Sequence, residues 1–238
     1  MNGTALLVFA RCAGFVFRAP GFSHPTVPPM VRAGFALVLA IAMLPAVQAV
    51  HAPDGLAFVV AIAGDFGVGA AIGIAASVLY DGAYAGGRAL DDYVGIRGSV
   101  PNAQIFAGAG FGRIWSLAFT AGFFLLGGYR IVIAAFARSF ASVPPGGVVS
   151  MHALYVYGVT LPVSIIEAAL LVAGPAIALV FVAQLTLGAL TRVIPRFASF
   201  TLSFPIIFGM ALIATIVAVP LLFGQSAVPW LRIPFLAR

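Results

Sequence analysis

Only six carboxylates and three histidines are spread through 238 residues, so any chemistry rests on very few side chains. Asp65 lies inside the run AFVVAIAGDFGVGAAIGIAA. A carboxylate in such a run is costly unless it has a partner or a wet surface. Three readings stand: a proton or ion relay, a polar contact with a neighbouring helix or subunit, or a place near an interface. Glu167 follows Pro162 closely, early in an apolar stretch, where the positive end of a helix dipole is a sufficient structural explanation. A role in transport is the alternative. Asp81, Arg88, Asp91 and Asp92 surround a strip of small residues that includes Gly82, Gly86 and Gly87. Arg88 precedes Asp91 and Asp92 by three and four residues, so on one helix they share a face. That face is either solvated at an interface or turned to another subunit or a lumen. Acid–base catalysis would need an accompanying nucleophile or substrate pocket, and none is visible. His24, His51 and His152 sit in connections without ligand spacing. Cys12 is the single cysteine, which excludes an intrachain disulfide and reads as a small packing residue. The sequence therefore points to no enzyme, no metal site and no cofactor.

The elements that hold these residues are set by composition. Hydrophobic residues make up 63% of the chain and charged residues 8%, with a mean hydropathy of +1.15. Soluble domains carry about 25% charged residues, and a chain of this size has too little interior to hide so much apolar surface from water. A soluble enzyme is excluded; an integral membrane protein remains. The net charge of +6 comes from arginines spread among apolar segments. No basic patch for nucleic acid forms, and an anionic membrane surface is the better partner. The amino end has no basic region ahead of its apolar run and does not read as a signal peptide.

Six apolar zones are predicted: Thr4 to Phe17, Val31 to Val50, Leu56 to Tyr80, Ala109 to Gly128, Val159 to Leu190, and Phe200 to Phe223. A crossing of about 30 Å needs about 20 helical residues. The first zone is marginal, and the fifth is overlong and expected to tilt, kink at Pro175 or break. Period-2 alternation is absent, which favours helices over a barrel. The expectation is an all-α, multi-helix integral membrane protein with about six apolar segments, residues 1–238 forming a single membrane domain. Between the zones lie PGFSHPTVPP at Pro20 to Pro29, a long polar connection from Asp81 to Gln104, PPGG within Val143 to His152, and RVIPRFAS at Arg192 to Ser199. If all six zones cross, seven arginines against four favour both chain ends outside. Gly69 and Gly73 have the GxxxG spacing that lets helices approach closely. Phe15, Phe17, Phe22, Phe197 and Phe200 lie near connections, as helix-end anchors, constriction residues or ordinary core.

In order along the chain, ARCAGFVFRAPGFSHPTVPPMVRAGFALVLA, GDFGVGAAIG, AYAGGRALDDYVGIRG, FFLLGGYRIVIAAFARSFASVPPG and LGALTRVIPRFASFTLSFPIIFG resemble the FliR/SpaR/YscT/HrcT family of type III protein export. The resemblance covers nearly the whole chain. It departs after Pro195, where the family commonly has Gln-Leu-Asn and this chain has Arg196-Phe197-Ala198, and at Gly87, where Gln or Glu is common. It implies a non-enzymatic subunit of the bacterial inner membrane, within a flagellar basal body or an injectisome base. The implied partners are FliP-type and FliQ-type subunits, other export-apparatus membrane proteins, unfolded export substrates and the lipid bilayer, with no nucleic acid. The implied role is to help form and close the export channel. Some apolar helices are then expected to be broken, or packed on sibling subunits rather than lipid. The residues expected at subunit contacts or in gating are Pro28, Asp65, Gly69, Gly73, Gly86, Arg88, Asp91, Arg192, Pro195, Phe200 and Pro205. The alternative is a small ion-coupled transporter with Asp65 and Glu167 as coupling groups.

Overall fold

The computed structural model describes residues 3–23, 27–48, 50, 53–95, 110–194 and 200–224. Among them are seven α-helices and no strand: α1 Gly3–Arg18, α2 Pro29–Met43, α3 Gly55–Val94, α4 Phe111–Leu125, α5 Gly128–Ser142, α6 Met151–Val193 and α7 Phe200–Gly224. A 3₁₀ turn, Leu44–Ala46, closes α2. The helix starts follow local sequence. Pro29 opens α2 at a position where its missing N–H has no helical acceptor to lose. The PPGG segment separates α5 from α6, with Gly146 at φ +76, a left-handed conformation that glycine adopts without steric penalty.

Three departures from the expected organisation have physical causes. The segment from Asp81 was expected to be a polar connection, yet α3 runs on to Val94. Hydropathy falls there, but Ala, Leu and Arg sustain the helix, and the helical spacing of the polar residues keeps them from interrupting it. The connection's later part lies outside the described residues. The fourth zone, Ala109 to Gly128, holds only α4, and a further helix that no zone covered, α5, follows it at a bend of 73°. The bend lies at Gly127, whose φ of +77 ends one helix and starts the next. The fifth zone is one continuous helix of 43 residues through Pro162 and Pro175. Glu167 is therefore deep within α6, well past its first turn, and the helix-start explanation for it fails.

Among the described residues, three helical stretches are long and apolar enough to cross a membrane, Pro29–Ala46, Gly55–Val94 and Tyr155–Val193, or four if the bent pair is one span. That is fewer than six. At 1.5 Å per residue, α3 and α6 each extend to about 60 Å, twice the hydrocarbon thickness.

The chain forms two compact units. The first takes its described residues from 1–78 and 123–163, the second from 79–122 and 164–224; α3 and α6 contribute to both. In the first unit, α1 packs on the first part of α3 and on α5. Its core includes Leu7, Val8, Phe15, Ile72 and Phe136; the Phe15 and Phe136 rings are centred 4.5 Å apart. In the second unit, the last part of α3, α4, α6 and α7 supply Leu90, Phe111, Trp115, Val172, Val180 and Ala211 to the core.

Candidate functional site

In the first unit, Asp65 is buried and paired with Arg11, which is itself fully buried in α1. Arg11 Nε donates to Asp65 Oδ1 at 2.7 Å, and Nη2 donates to the same oxygen. The remaining donors reach the end of α5. Nη1 donates to the carbonyls of Val143 at 2.7 Å and Ser139 at 3.2 Å, and Nη2 to that of Pro144 at 3.3 Å. All five N–H groups of the guanidinium are thus used. Its Cζ also lies 4.5 Å from the centre of the Phe140 ring, a cation–π contact. The second carboxylate oxygen of Asp65 accepts the backbone N–H of Gly146 at 2.8 Å.

The ion pair between α1 and α3 therefore holds both sides of the break after α5. Its cation serves the carbonyl of Val143, just beyond the helix, and shares those of Ser139 and Pro144 with the backbone N–H groups of Val143 and Gly147, at a helix end where a positive charge also complements the dipole. Its anion takes an N–H just beyond. The low-dielectric surroundings strengthen each bond and make loss of either charge expensive.

Glycines let α1 and α3 come close enough for this pair. A Cβ on Gly69 would collide with the Arg11 carbonyl, and one on Gly14 with the Phe66 carbonyl. A Cβ on Gly73 would lie 2.7 Å from the Phe15 carbonyl. Each helix thus presses backbone into the other's glycine, the close approach that small residues permit. Tyr157 in α6 donates its hydroxyl to the Ala71 carbonyl at 2.6 Å, tying another helix to the same stretch of α3.

The second unit has a different polar centre. Asp91, near the end of α3, is buried. Its carboxylate accepts the N–H groups of Phe111 at 2.7 Å and Gly112 at 3.3 Å, so it caps α4 from a separate helix and offsets the positive dipole end. Gly110 leads into this cap at φ +123, and a Cβ there would lie 2.6 Å from Asp91 Oδ2. Gly86 faces α6, where a Cβ would meet the Ala169 carbonyl at 2.7 Å. Arg88 donates to the Tyr84 hydroxyl at 3.3 Å.

Of the other residues singled out by sequence, Pro28 is the exposed residue ahead of α2, Arg192 lies exposed in the last turn of α6, and Pro205 is exposed within α7. Phe200 opens α7, and Pro195 lies outside the described residues. The structure joins Asp65, Gly69 and Gly73 in the first unit, and Asp91, Gly86 and Arg88 in the second. Arg11, the residue that organises the first centre, was not among those singled out. The available signal was simple: Arg11 and Asp65 are two lone, opposite charges in separate apolar runs, and each needs a partner.

Neither centre resembles a catalytic site. Among the described residues no group of three or more His, Cys, Asp or Glu is placed to hold a metal ion. Both centres bind backbone to backbone across helices of a membrane protein. The family model for bacterial export proteins, family 1, matches residues 3–230. The chain belongs to this family. It is the FliR/SpaR/YscT/HrcT group of membrane subunits of the type III secretion and flagellar export apparatus, a non-catalytic component. Membership carries association with other membrane subunits of that apparatus. No curated protein matches the chain.

Proposed function

We propose that this export protein is an inner-membrane subunit of the export gate that assembles with FliP-type and FliQ-type subunits and helps form and close the channel for unfolded substrates. The observation that carries this reading is the apolar surface left on its long helices. Met30 and Val38 on α2, Leu56 on α3, and Leu170 and Leu185 on α6 are each more than half exposed. Helices of about 60 Å extend well past a hydrocarbon layer of about 30 Å, so lipid alone does not cover them, and sibling helices supply the remaining shelter.

On this reading eight of the eleven residues singled out by sequence divide into two groups. Asp65, Gly69, Gly73, Gly86 and Asp91 hold the subunit's own helices together. Pro28, Arg192 and Pro205 are exposed positions that meet siblings or line the channel. Gating then comes from movement of a subunit whose internal joints are polar and tight, closing through apolar constriction.

Co-production with the sibling genes of the same export locus tests the proposal. The expected result is a detergent-stable complex containing all three types of subunit. Deleting the gene should block secretion of filament or effector substrates, and this chain should restore it. A chain that stays folded and monodisperse in plain buffer, or a deletion that leaves secretion intact, refutes the reading.

A further inference from the structure

Glu167 stands alone on the outer face of α6. It is exposed and has no hydrogen-bond or ion-pair partner among the described residues. At 3.6 residues per turn, Leu170, Leu171, Gly174 and Ala178 lie on its side of the helix. Leu170 and Leu171 are 66% and 56% exposed. Nothing lies within 4 Å of where a Cβ on Gly174 would be, and Ala178 is exposed. The opposite side of α6, through Val172 and Ala176, is the buried one. The face is thus apolar, has a small-residue step at Gly174 and Ala178 that admits a close neighbour, and carries a single unpaired negative charge.

We infer that this face is a docking surface for an apolar helix of another export-gate subunit, and that this helix brings a Lys or Arg side chain to Glu167. This rests on the reading of the chain as one subunit of a multi-subunit gate. Charge decides among the possible occupants. Hydrocarbon does not compensate an isolated carboxylate, which inside a membrane is met by a paired charge or water. A second copy of the same face would set Glu167 against Glu167, and the chain has no Arg or Lys between Arg138 and Arg192 to relieve that repulsion. A basic residue on an otherwise apolar sibling helix satisfies both the charge and the greasy flank, and fixes the register of docking.

The test uses the full-length chain co-produced with its sibling membrane subunits and purified as the complex. A photo-reactive benzophenone amino acid placed at Leu170 should crosslink to a sibling helix that carries a Lys or Arg near the crosslinked residue. Glu167→Lys should lower the co-purified sibling by roughly tenfold or more, because it sets two cations together in a desolvated contact. Glu167→Gln should fall between that variant and the native chain. Exchanging the mapped basic residue for Glu should restore assembly to Glu167→Lys, a rescue that a mere folding defect would not show.

Crosslinks confined to lipid or to a second copy overturn the inference. So does a Glu167→Lys chain that assembles as well as the native one. If the native chain itself brings down no sibling, the functional reading fails and this inference with it. If the native complex forms and the charge changes are silent, this inference alone is lost.

Discussion

Removal of Asp65 is the sharpest perturbation available. Asp65→Ala leaves the Arg11 guanidinium buried without its counter-charge, a loss of about 3–5 kcal/mol for a buried pair. Arg11 keeps the carbonyls of Ser139, Val143 and Pro144, which places this loss toward the lower bound. The N–H of Gly146 loses its acceptor, which adds about 1 kcal/mol. The expected total is about 4 kcal/mol. Arg11→Met should cost about as much or more, because it strands the Asp65 carboxylate and leaves the Val143 carbonyl without its donor. The double variant Arg11→Met with Asp65→Ala removes both charges and keeps only the two smaller backbone losses.

A double-mutant cycle on the detergent-solubilised protein, unfolded by denaturant and followed by tryptophan fluorescence, should therefore show a coupling of at least about 2 kcal/mol. Charge reversal, Arg11→Asp with Asp65→Arg, should not restore stability. An acid at position 11 cannot donate to the carbonyls after α5, so the geometry distinguishes this staple from a simple ion pair. Effects that add to within about 0.5 kcal/mol, or full rescue by charge reversal, would refute the account of this centre.

Three further outcomes follow from the same contacts. Gly69→Ala should destabilise the chain by forcing α1 off α3, whereas Gly64→Ala, which meets nothing within 4 Å, should be neutral or stabilise by up to about 1 kcal/mol through helix propensity; parallel thermal melts in detergent read both. Asp91→Ala should cost about 1–3 kcal/mol as the α4 cap and a buried acceptor are lost, and Asp91→Asn, which keeps one acceptor oxygen, should cost less; hydrogen exchange at Phe111 and Gly112 should rise in Asp91→Ala before the rest of α4 responds. Cys12 is fully buried, so a maleimide should leave it unlabelled in the folded protein and modify it fully once the chain is denatured, as intact-mass measurement would show.

Much of the helical order was legible in the sequence because hydropathy and breakers agree. Apolar runs end at Pro or Gly clusters, and α1, α2, α6 and α7 begin or end close to those marks. The failures arise where the two signals separate. From Asp81 to Val94 polarity rises without any backbone reason to stop, so the helix continues. Past Gly127, near the end of the fourth zone, Arg130 and Arg138 dilute the apolar pattern, yet a helix resumes as α5. Hydropathy reports what surrounds a helix; glycine and proline report whether it can go on.

The polar centres were less legible for a different reason. Arg11 and Asp65 are 54 residues apart, and their meeting depends on the rotation and register of two helices, which local patterns do not encode. The glycines encode part of it: Gly14 on α1 with Gly69 and Gly73 on α3 leave one crossing in which the backbones touch, and that crossing sets the arginine against the carboxylate. Small residues and lone charges are thus two halves of one specification. The glycines bring the helices within reach, and the pair then makes every other register expensive by leaving a charge buried alone. Glu167 carries the same logic on an open face, where Gly174 provides the approach and, on the inference above, a sibling subunit brings the complementary charge.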